Sequence, residues 1–330
     1  MINTRIRSAL LGFITLLLPI LSWAQPQQLV FSHVVSPDTP KGKMAEMFKS
    51  MIELKFGDRF EVVIHPNAEL MDDDEAVKAV AEGRIHFAAP SLSKFESYTQ
   101  KLKVFDLPFL FPNMDAVNRF QNSPTGQSLL TSMESKGILG LGYLHNGLKQ
   151  LTADRPFTQP GDLAGLRFRT MNSDVLIKQF ELLNAEAVPM AFSEVYGALA
   201  DKRIQGQENT WSNIYSKAFY EHQPYMMVSN HGLLDYMVIT NSKFWKGLSE
   251  ADRSEFRYAV EMSLKYGNAV AKAKSANDKI ELKNMKGVSL YEPTAAELAT
   301  WQTAMQPLWD SYKDTIGEKV IEAARQAGRP

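Results

Sequence analysis

Apolar positions recur along the chain with two periods, and the periods alternate. Leu29 to Val35 is an apolar run of strand length, broken by Ser36-Pro37-Asp38-Thr39-Pro40. Met44, Met47, Phe48, Met51 and Ile52 then fall at i, i+3, i+4, i+7 and i+8, which predicts a helix with one buried face. Phe60 to His65 predicts a second strand, closed by Pro66. Asp72 to Glu82 predicts a short helix, acidic in its first turn, where the helix dipole favours anions, and followed by Gly83. Ile85 to Ala89 predicts a third strand. Strand and helix in alternation make an α/β unit with a mostly parallel sheet.

Leu102 to Phe111, with Pro108 and Pro112, reads as an extended connection, and a helix over 114–135 leads into a strand over Ile138–Leu144. Thr152 to Gly161 is rich in turn residues and reads as a crossing into a second domain. There the alternation resumes with a strand at Leu166–Thr170, a helix at Asp174–Leu183, a strand around Ala187–Pro189, a helix capped by Ser193 and a strand at Gly232–Thr240. Ala251 to Lys283 has no proline and one glycine, so a helix about 50 Å long is expected, too long for one small domain. Thr294-Ala295-Ala296-Glu297 is a capping box opening a C-terminal helix through Trp301, Met305 and Leu308.

The first 24 residues break this pattern. Arg5 and Arg7 precede an apolar run from Ala9 to Ile20, and Ser22-Trp23-Ala24 carries small residues at its outer positions, as in a secretory leader cleaved after Ala24. The run is shorter than the ~20 residues of a spanning helix. Its removal takes two of 36 basic residues and leaves 34 against 37 acidic ones, a net charge of −3. No bulk positive field remains to hold nucleic acid, and no later stretch suits stable membrane insertion. The length of 330 residues and 45% hydrophobic content fit two domains with sizeable cores.

Much chemistry is absent. Without cysteine there are no disulfides, thiolate metal sites or cysteine nucleophiles. The six histidines show no ligand spacing, so no metal and no cofactor are expected. Gly137, Gly140 and Gly142 do not make a dinucleotide loop, and Asp72-Asp73-Asp74-Glu75 lacks calcium-loop spacing and reads as a solvated helix start. What remains is basic: Lys41, Lys94, Lys149, Arg167 and Arg169 near strand ends and loops. In Leu166-Arg167-Phe168-Arg169 the two arginines share one face of a strand, either solvated or as a fork for a carboxylate.

The stretch Gly206-Gln207-Glu208-Asn209-Thr210-Trp211-Ser212-Asn213-Ile214-Tyr215-Ser216-Lys217 resembles the substrate-binding proteins of tripartite ATP-independent periplasmic (TRAP) transporters, most of all the DctP-type branch for four-carbon dicarboxylates. FSHVVSPDTPKGKMAEMF, APSLSKF, LPFLF, NGLKQLTADRP, GLRFR, PMAFSEVYGAL and NHGLLDYMVITNSKFW carry the likeness along almost the whole chain, in order. The resemblance implies a periplasmic α/β protein of two domains with exchanged segments, residues 25–147 with 235–274 and residues 148–234 with 275–330. It implies closure around a ligand, a long helix spanning both domains, and membrane subunits of the transporter as partners.

The resemblance also implies that Arg169, rather than Arg167, forks one carboxylate. Lys149 stands where related proteins place a second basic residue, and Asn209 where an amide contacts the ligand. Phe192 packs on the carbon chain, Tyr236 offers a hydroxyl or a wall, and Ser91, Lys94 and Lys41 are the polar contacts from the first domain. His33 is a further candidate. Burying a dianion demands at least two cations, which Arg169 and Lys149 on one domain with Lys94 or Lys41 on the other supply. Lys41 and Lys94 as surface lysines, and Phe192 as core, are the plainer readings. Lys149 in place of a second arginine departs from the sialic-acid branch. The expected function is capture of succinate, fumarate or malate without catalysis. The alternatives are a receptor for a 2-oxo or sugar acid, a receptor serving a sensor kinase, and a periplasmic hydrolase or isomerase.

Overall fold

The computed structural model describes residues 25–329, so the leader and its cleavage after Ala24 lie outside the described residues. The strands are β1 (Gln27–Ser32), β2 (Phe60–His65), β3 (Phe87–Ala88), β4 (Ile138–Ala153), β5 (Arg167–Thr170), β6 (Glu186–Pro189), β7 (Gly206–Asn209), β8 (Tyr225–Asn241) and β9 (Ser289–Tyr291). They form one mixed sheet in the order β2-β1-β3-β8-β4-β7-β5-β6, with β9 on β8. Pairs made by β1 and β5 are parallel, and β4 runs antiparallel to β8 and β7. β1 alternates Leu29 and Phe31 to one face with Val30 to the other, and both faces are covered, which is why it reads as a continuous apolar run.

The helices are α1 (Pro40–Phe56), α2 (Asp73–Ala81), α3 (Met114–Asn122), α4 (Pro124–Leu130), α5 (Asp174–Leu182), α6 (Val195–Ala200), α7 (Trp211–Ser216), α8 (Ser242–Gly247), α9 (Glu250–Asn284), α10 (Ala295–Met305), α11 (Pro307–Ser311), α12 (Lys313–Ile316) and α13 (Glu318–Ala327). α1, α8 and α9 cover one face of the first half of the sheet through Phe48, Trp245 and Phe256; α2, α3 and α4 cover the other through Val80, Phe120 and Leu129. In the second half Phe168 leaves β5 for the core and stacks on Phe180 of α5 at 4.8 Å, as the alternation around Arg167 and Arg169 requires.

Two elements run through both halves. β4 and β8, with 16 and 17 residues, lie side by side from the first half to the second. The crossing expected at Thr152–Gly161 therefore lies inside the strands, since Thr152 and Ala153 still pair with Gln207 and Gly206 of β7. α9 is the expected long helix, 35 residues capped by the Ser249 side chain, and it packs on α1 and β4 of one half and α7 of the other.

Prolines account for several differences. The helix expected over 114–135 is broken by Pro124, whose missing N–H ends α3 and starts α4 under a Ser123 cap. The C-terminal helix has its capping box, with Glu297 N to Thr294 Oγ1 at 3.3 Å, but Pro307 divides it before Leu308. Lys101–Asp106 is a 3-10 helix rather than an extended connection, because Leu102, Val104 and Phe105 turn into the core. Within the expected 275–330 unit, α10 packs on the second half, whereas α13 returns to α3 through Ile321 and Ala324.

Candidate functional site

A cavity opens between the halves at the strand ends. Val34 and Val35 after β1, Asp72 to Asp74 at the start of α2, and Ser91 and Lys94 line it from the first half; Arg169, Met171, Ala191, Phe192, Glu208, Asn209 and Asn213 line it from the second. Lys149, Leu234 and Tyr236, on the two strands that cross, form its floor. The space is about 30 Å³ measured at the centres of water-sized spheres.

Arg169 comes from the middle of β5 and is 2% exposed. Its Nε and Nη2 both donate to the Met190 carbonyl, at 3.3 and 2.9 Å, and no carboxylate pairs with it among the described residues. Burial lowers its pKa to about 10 against the pull of Glu208, so it stays charged at neutral pH. Arg167, two residues earlier on the same face, donates to the Gln205 side chain and the Lys202 carbonyl and does not line the cavity. The alternation is right, and the position along the strand separates the two arginines.

Lys149 is fully buried and pairs with Glu208 Oε1; Glu208 Oε2 accepts from Gln179 at 3.0 Å and meets His231 Nε2 at 2.7 Å. Burial alone would raise the Glu208 pKa, but Lys149 and His231 hold it well below the usual carboxylate range. Lys149 thus reaches the cavity already neutralised. Lys94 likewise pairs with Asp74, and only 5% of its side chain is exposed.

Lys41 is different. It is 0% exposed, its Nζ lies 3.7 Å from the centroid of the Tyr236 ring, and it has no hydrogen-bond partner among the described residues. Burial pushes its pKa down to about 8 against the pull of Asp73. It stands behind Tyr236 rather than on the cavity wall. Tyr236 accepts Asn146 Nδ2 on its hydroxyl at 2.9 Å, and burial raises its pKa above its ordinary value.

Asn209 Oδ1 accepts from Asn213 Nδ2 at 2.7 Å, which leaves the Asn209 Nδ2 for the cavity. Ser91 pairs with Tyr236 through a β-bridge and lends its N–H to Asp73 at 3.5 Å. Phe192 is half-buried, edge-on to Phe219 at 6.0 Å, with one side to the cavity. His33 is buried with Nδ1 unpartnered among the described residues; burial lowers its pKa to about 3, and it lies outside the wall that its neighbours Val34 and Val35 form.

The structure therefore gathers Ser91, Lys94, Lys149, Arg169, Phe192, Asn209 and Tyr236 around one space, with Lys41 behind it. Sequence reasoning missed Glu208, Asp73 and Asn213. Glu208 is within the recognisable stretch, but its pairing with Lys149 depends on β7 lying beside β4, which no periodicity reveals. The acidic run, expected to be a solvated helix start, instead puts Asp72, Asp73 and Asp74 on the cavity, with Asp73 only 8% exposed, because α2 begins at the cleft. No cluster that could hold a metal occurs among the described residues, and no described helix is long and apolar enough to cross a membrane.

The family model described as bacterial extracellular solute-binding protein, family 7, matches residues 31–315. The chain belongs to this family. Its members are solute-binding receptors, so the chain is a receptor and not an enzyme. A C4-dicarboxylate-binding periplasmic protein DctP of Shewanella loihica is 48% identical over 92% of this chain and 90% of its own. A TRAP periplasmic solute-binding protein from Shewanella oneidensis, solved with succinate, superposes with a TM-score of 0.91 at 48% identity, covering 92% of this chain and 100% of its own. A second, from Pseudomonas aeruginosa with L-malate, gives 0.84 at 41% identity over 87% of this chain and 100% of its own.

Proposed function

We propose that this family 7 protein is the extracytoplasmic receptor of a TRAP transporter: its two lobes, hinged where β4 and β8 cross, close on a four-carbon dicarboxylate, which it hands to the membrane subunits. The observation that carries the reading is the pair of buried cations, Arg169 and Lys41, that have no carboxylate partner among the described residues. An uncompensated buried charge costs several kcal/mol. An anion entering the cavity removes that cost.

The geometry supports a division of labour. Arg169 spends one edge on the Met190 carbonyl, and its remaining donors face the cavity and fork one carboxylate. Lys41, acting past the edge of Tyr236, attracts the other end, and Asn209 Nδ2, Ser91, Lys94 and Lys149 supply the remaining polar contacts. Phe192 and Leu234 line the carbon chain. The leader, cut after Ala24, carries the chain to the periplasm, and the ligands bound by the DctP relative and the two solved neighbours support the substrate class.

A thermal-shift panel on protein stripped of ligand by refolding tests this. Ligand at one thousand times its Kd stabilises the fold by about 4.1 kcal/mol, or several degrees. Succinate, fumarate and malate are expected to raise Tm, and Arg169→Ala to abolish the shift while Arg167→Ala keeps it. A shift with only 2-oxo or sugar acids discards the four-carbon assignment, and equal loss in both arginine variants discards the fork.

A further inference from the structure

Asp72 stands at a helix N-cap without capping the helix, and Ser193, expected to cap one, lies instead inside the short 3-10 turn before α6, whose N-cap position Glu194 holds. Asp72 is the N-cap of α2, with extended backbone, yet its carboxylate takes no N–H of that helix. Ser193 sits in the turn leading into α6, where the sequence suggests a cap, and its hydroxyl serves no group of its own turn. The Ser193 hydroxyl donates instead to both Asp72 oxygens, at 2.9 and 3.1 Å. That bond runs from one half of the molecule to the other, across the mouth of the cavity.

A second contact crosses the same mouth. Lys217, at the end of α7, donates to Asn67 Oδ1 at 3.4 Å while its ammonium lies 5.7 Å from the Phe192 ring centroid. Asn67 and Ala68 both hold positive φ, 53° and 59°, a conformation that costs free energy in residues with a Cβ. Their N–H groups are pinned to the Val35 and His33 carbonyls at 3.0 and 3.1 Å. The loop is thus fixed to the first half with Asn67 presented to the second.

We propose that Asp72–Ser193 and Asn67–Lys217 form a clasp over the cavity entrance that sets how long the closed receptor stays closed, whichever acid it holds. The proposal rests on the reading of a closing receptor. Asp72 is on the cavity wall, but Ser193, Asn67 and Lys217 are not, and both clasp bonds lie on the exposed side, so they do not depend on the identity of the ligand. Donor and acceptor lie on opposite halves, so the bonds exist only after closure. A ligand meeting the open form does not encounter them, whereas a ligand leaving requires them to break. The clasp therefore acts on release rather than capture, and equally for every ligand.

The chain has no cysteine, which allows clean labelling at Leu54→Cys on α1 and Arg203→Cys beyond α6. Fluorescence transfer between the two sites, in stopped flow with succinate and with malate, reads closure and release. Ser193→Ala is expected to raise koff about three- to tenfold by the same factor for both acids with kon unchanged, since one solvent-exposed hydrogen bond is lost. Ser193→Thr, which keeps the hydroxyl, restores the slow release, and Lys217→Met acts in the same direction as Ser193→Ala. Unchanged koff in Ser193→Ala, or a change for one acid alone, overturns the clasp. If neither acid binds, the dicarboxylate reading fails, and the closed fraction of the ligand-free protein still reports on the clasp: it falls in Ser193→Ala if the clasp exists and stays constant if it does not.

Discussion

Lys41 places a costly charge inside the fold, behind the wall of the cavity. Its ammonium is buried against an aromatic face without a hydrogen-bond partner among the described residues, and despite the pull of Asp73 its pKa stands at about 8 instead of the usual 10.5. Between those two values the unfolded chain binds the proton and the folded one does not, so for this group stability rises with pH across that window, and the full cost is present below about 8. Affinity for an anion runs the other way, because the attracting charge is lost as pH rises through the same pKa. Lys41→Met is therefore expected to melt higher than the parent at pH 7 without ligand, with the difference closing toward pH 10.5. Its dicarboxylate affinity should be weaker and lack the decline above pH 8 that the parent shows. Melting curves and calorimetric titrations over pH 6.5 to 10 check both; a variant less stable than the parent at pH 7 would show that the cation–ring contact outweighs desolvation. Nothing in the sequence marks Lys41 as buried, since a lysine just inside a helix start is ordinarily exposed, and only the recognisable PKG stretch pointed to it.

At the scale of elements, legibility followed the local physics. α1, α2 and α9 were visible because their apolar spacing or caps are local, and the strand after Gly165 because two arginines alternate with core residues. Where a boundary depended on a proline within an otherwise helical pattern, at Pro124 and Pro307, the break was missed. The full lengths of β4 and β8 were missed for another reason. Gly147, Lys149 and Gln150 look polar enough to end a strand, but they are the part that passes behind the site, buried by contacts from remote elements. α9 depends on one such contact: a Cβ on Gly267 would lie 2.7 Å from Leu144 Cδ1 and 2.9 Å from Met44 Cβ, both closer than packing allows. Gly267→Ala is expected to cost about 1–3 kcal/mol by overpacking, despite alanine's better helix propensity. A urea titration showing a midpoint equal to or above that of the parent would mean that α1 and α9 can separate freely at this level.

For the whole molecule, the proposed closure requires two halves that share one sheet to move against each other. The pairing of β4 with β8 gives an answer in its register. Between Lys149↔Gly232 and Leu151↔Met227, a single residue of β4 faces four of β8, and Asn230 among them has φ of 44°. The ladder is interrupted there and replaced by side chains: Gln150 accepts the Asn230 N–H at 3.2 Å and donates to Asn230 Oδ1 at 2.8 Å and to the Leu148 carbonyl at 3.0 Å. An amide on a rotatable stem can keep its partners through a small rotation that a continuous backbone ladder would resist. His231, within the same interruption, contacts Glu208, which holds Lys149 at the cavity, so bending here and occupancy there share a buried polar network. Gln150→Ala is expected to leave the unliganded core intact, to speed amide hydrogen exchange in residues 228–231 by an order of magnitude or more, and to shift the ligand-free protein toward the open form. Exchange followed by mass spectrometry on peptides covering 224–234, with and without succinate, measures this. Protection equal to that of the parent would place the bend elsewhere along β4, the bulge at Asn146 being the next interruption of the ladder.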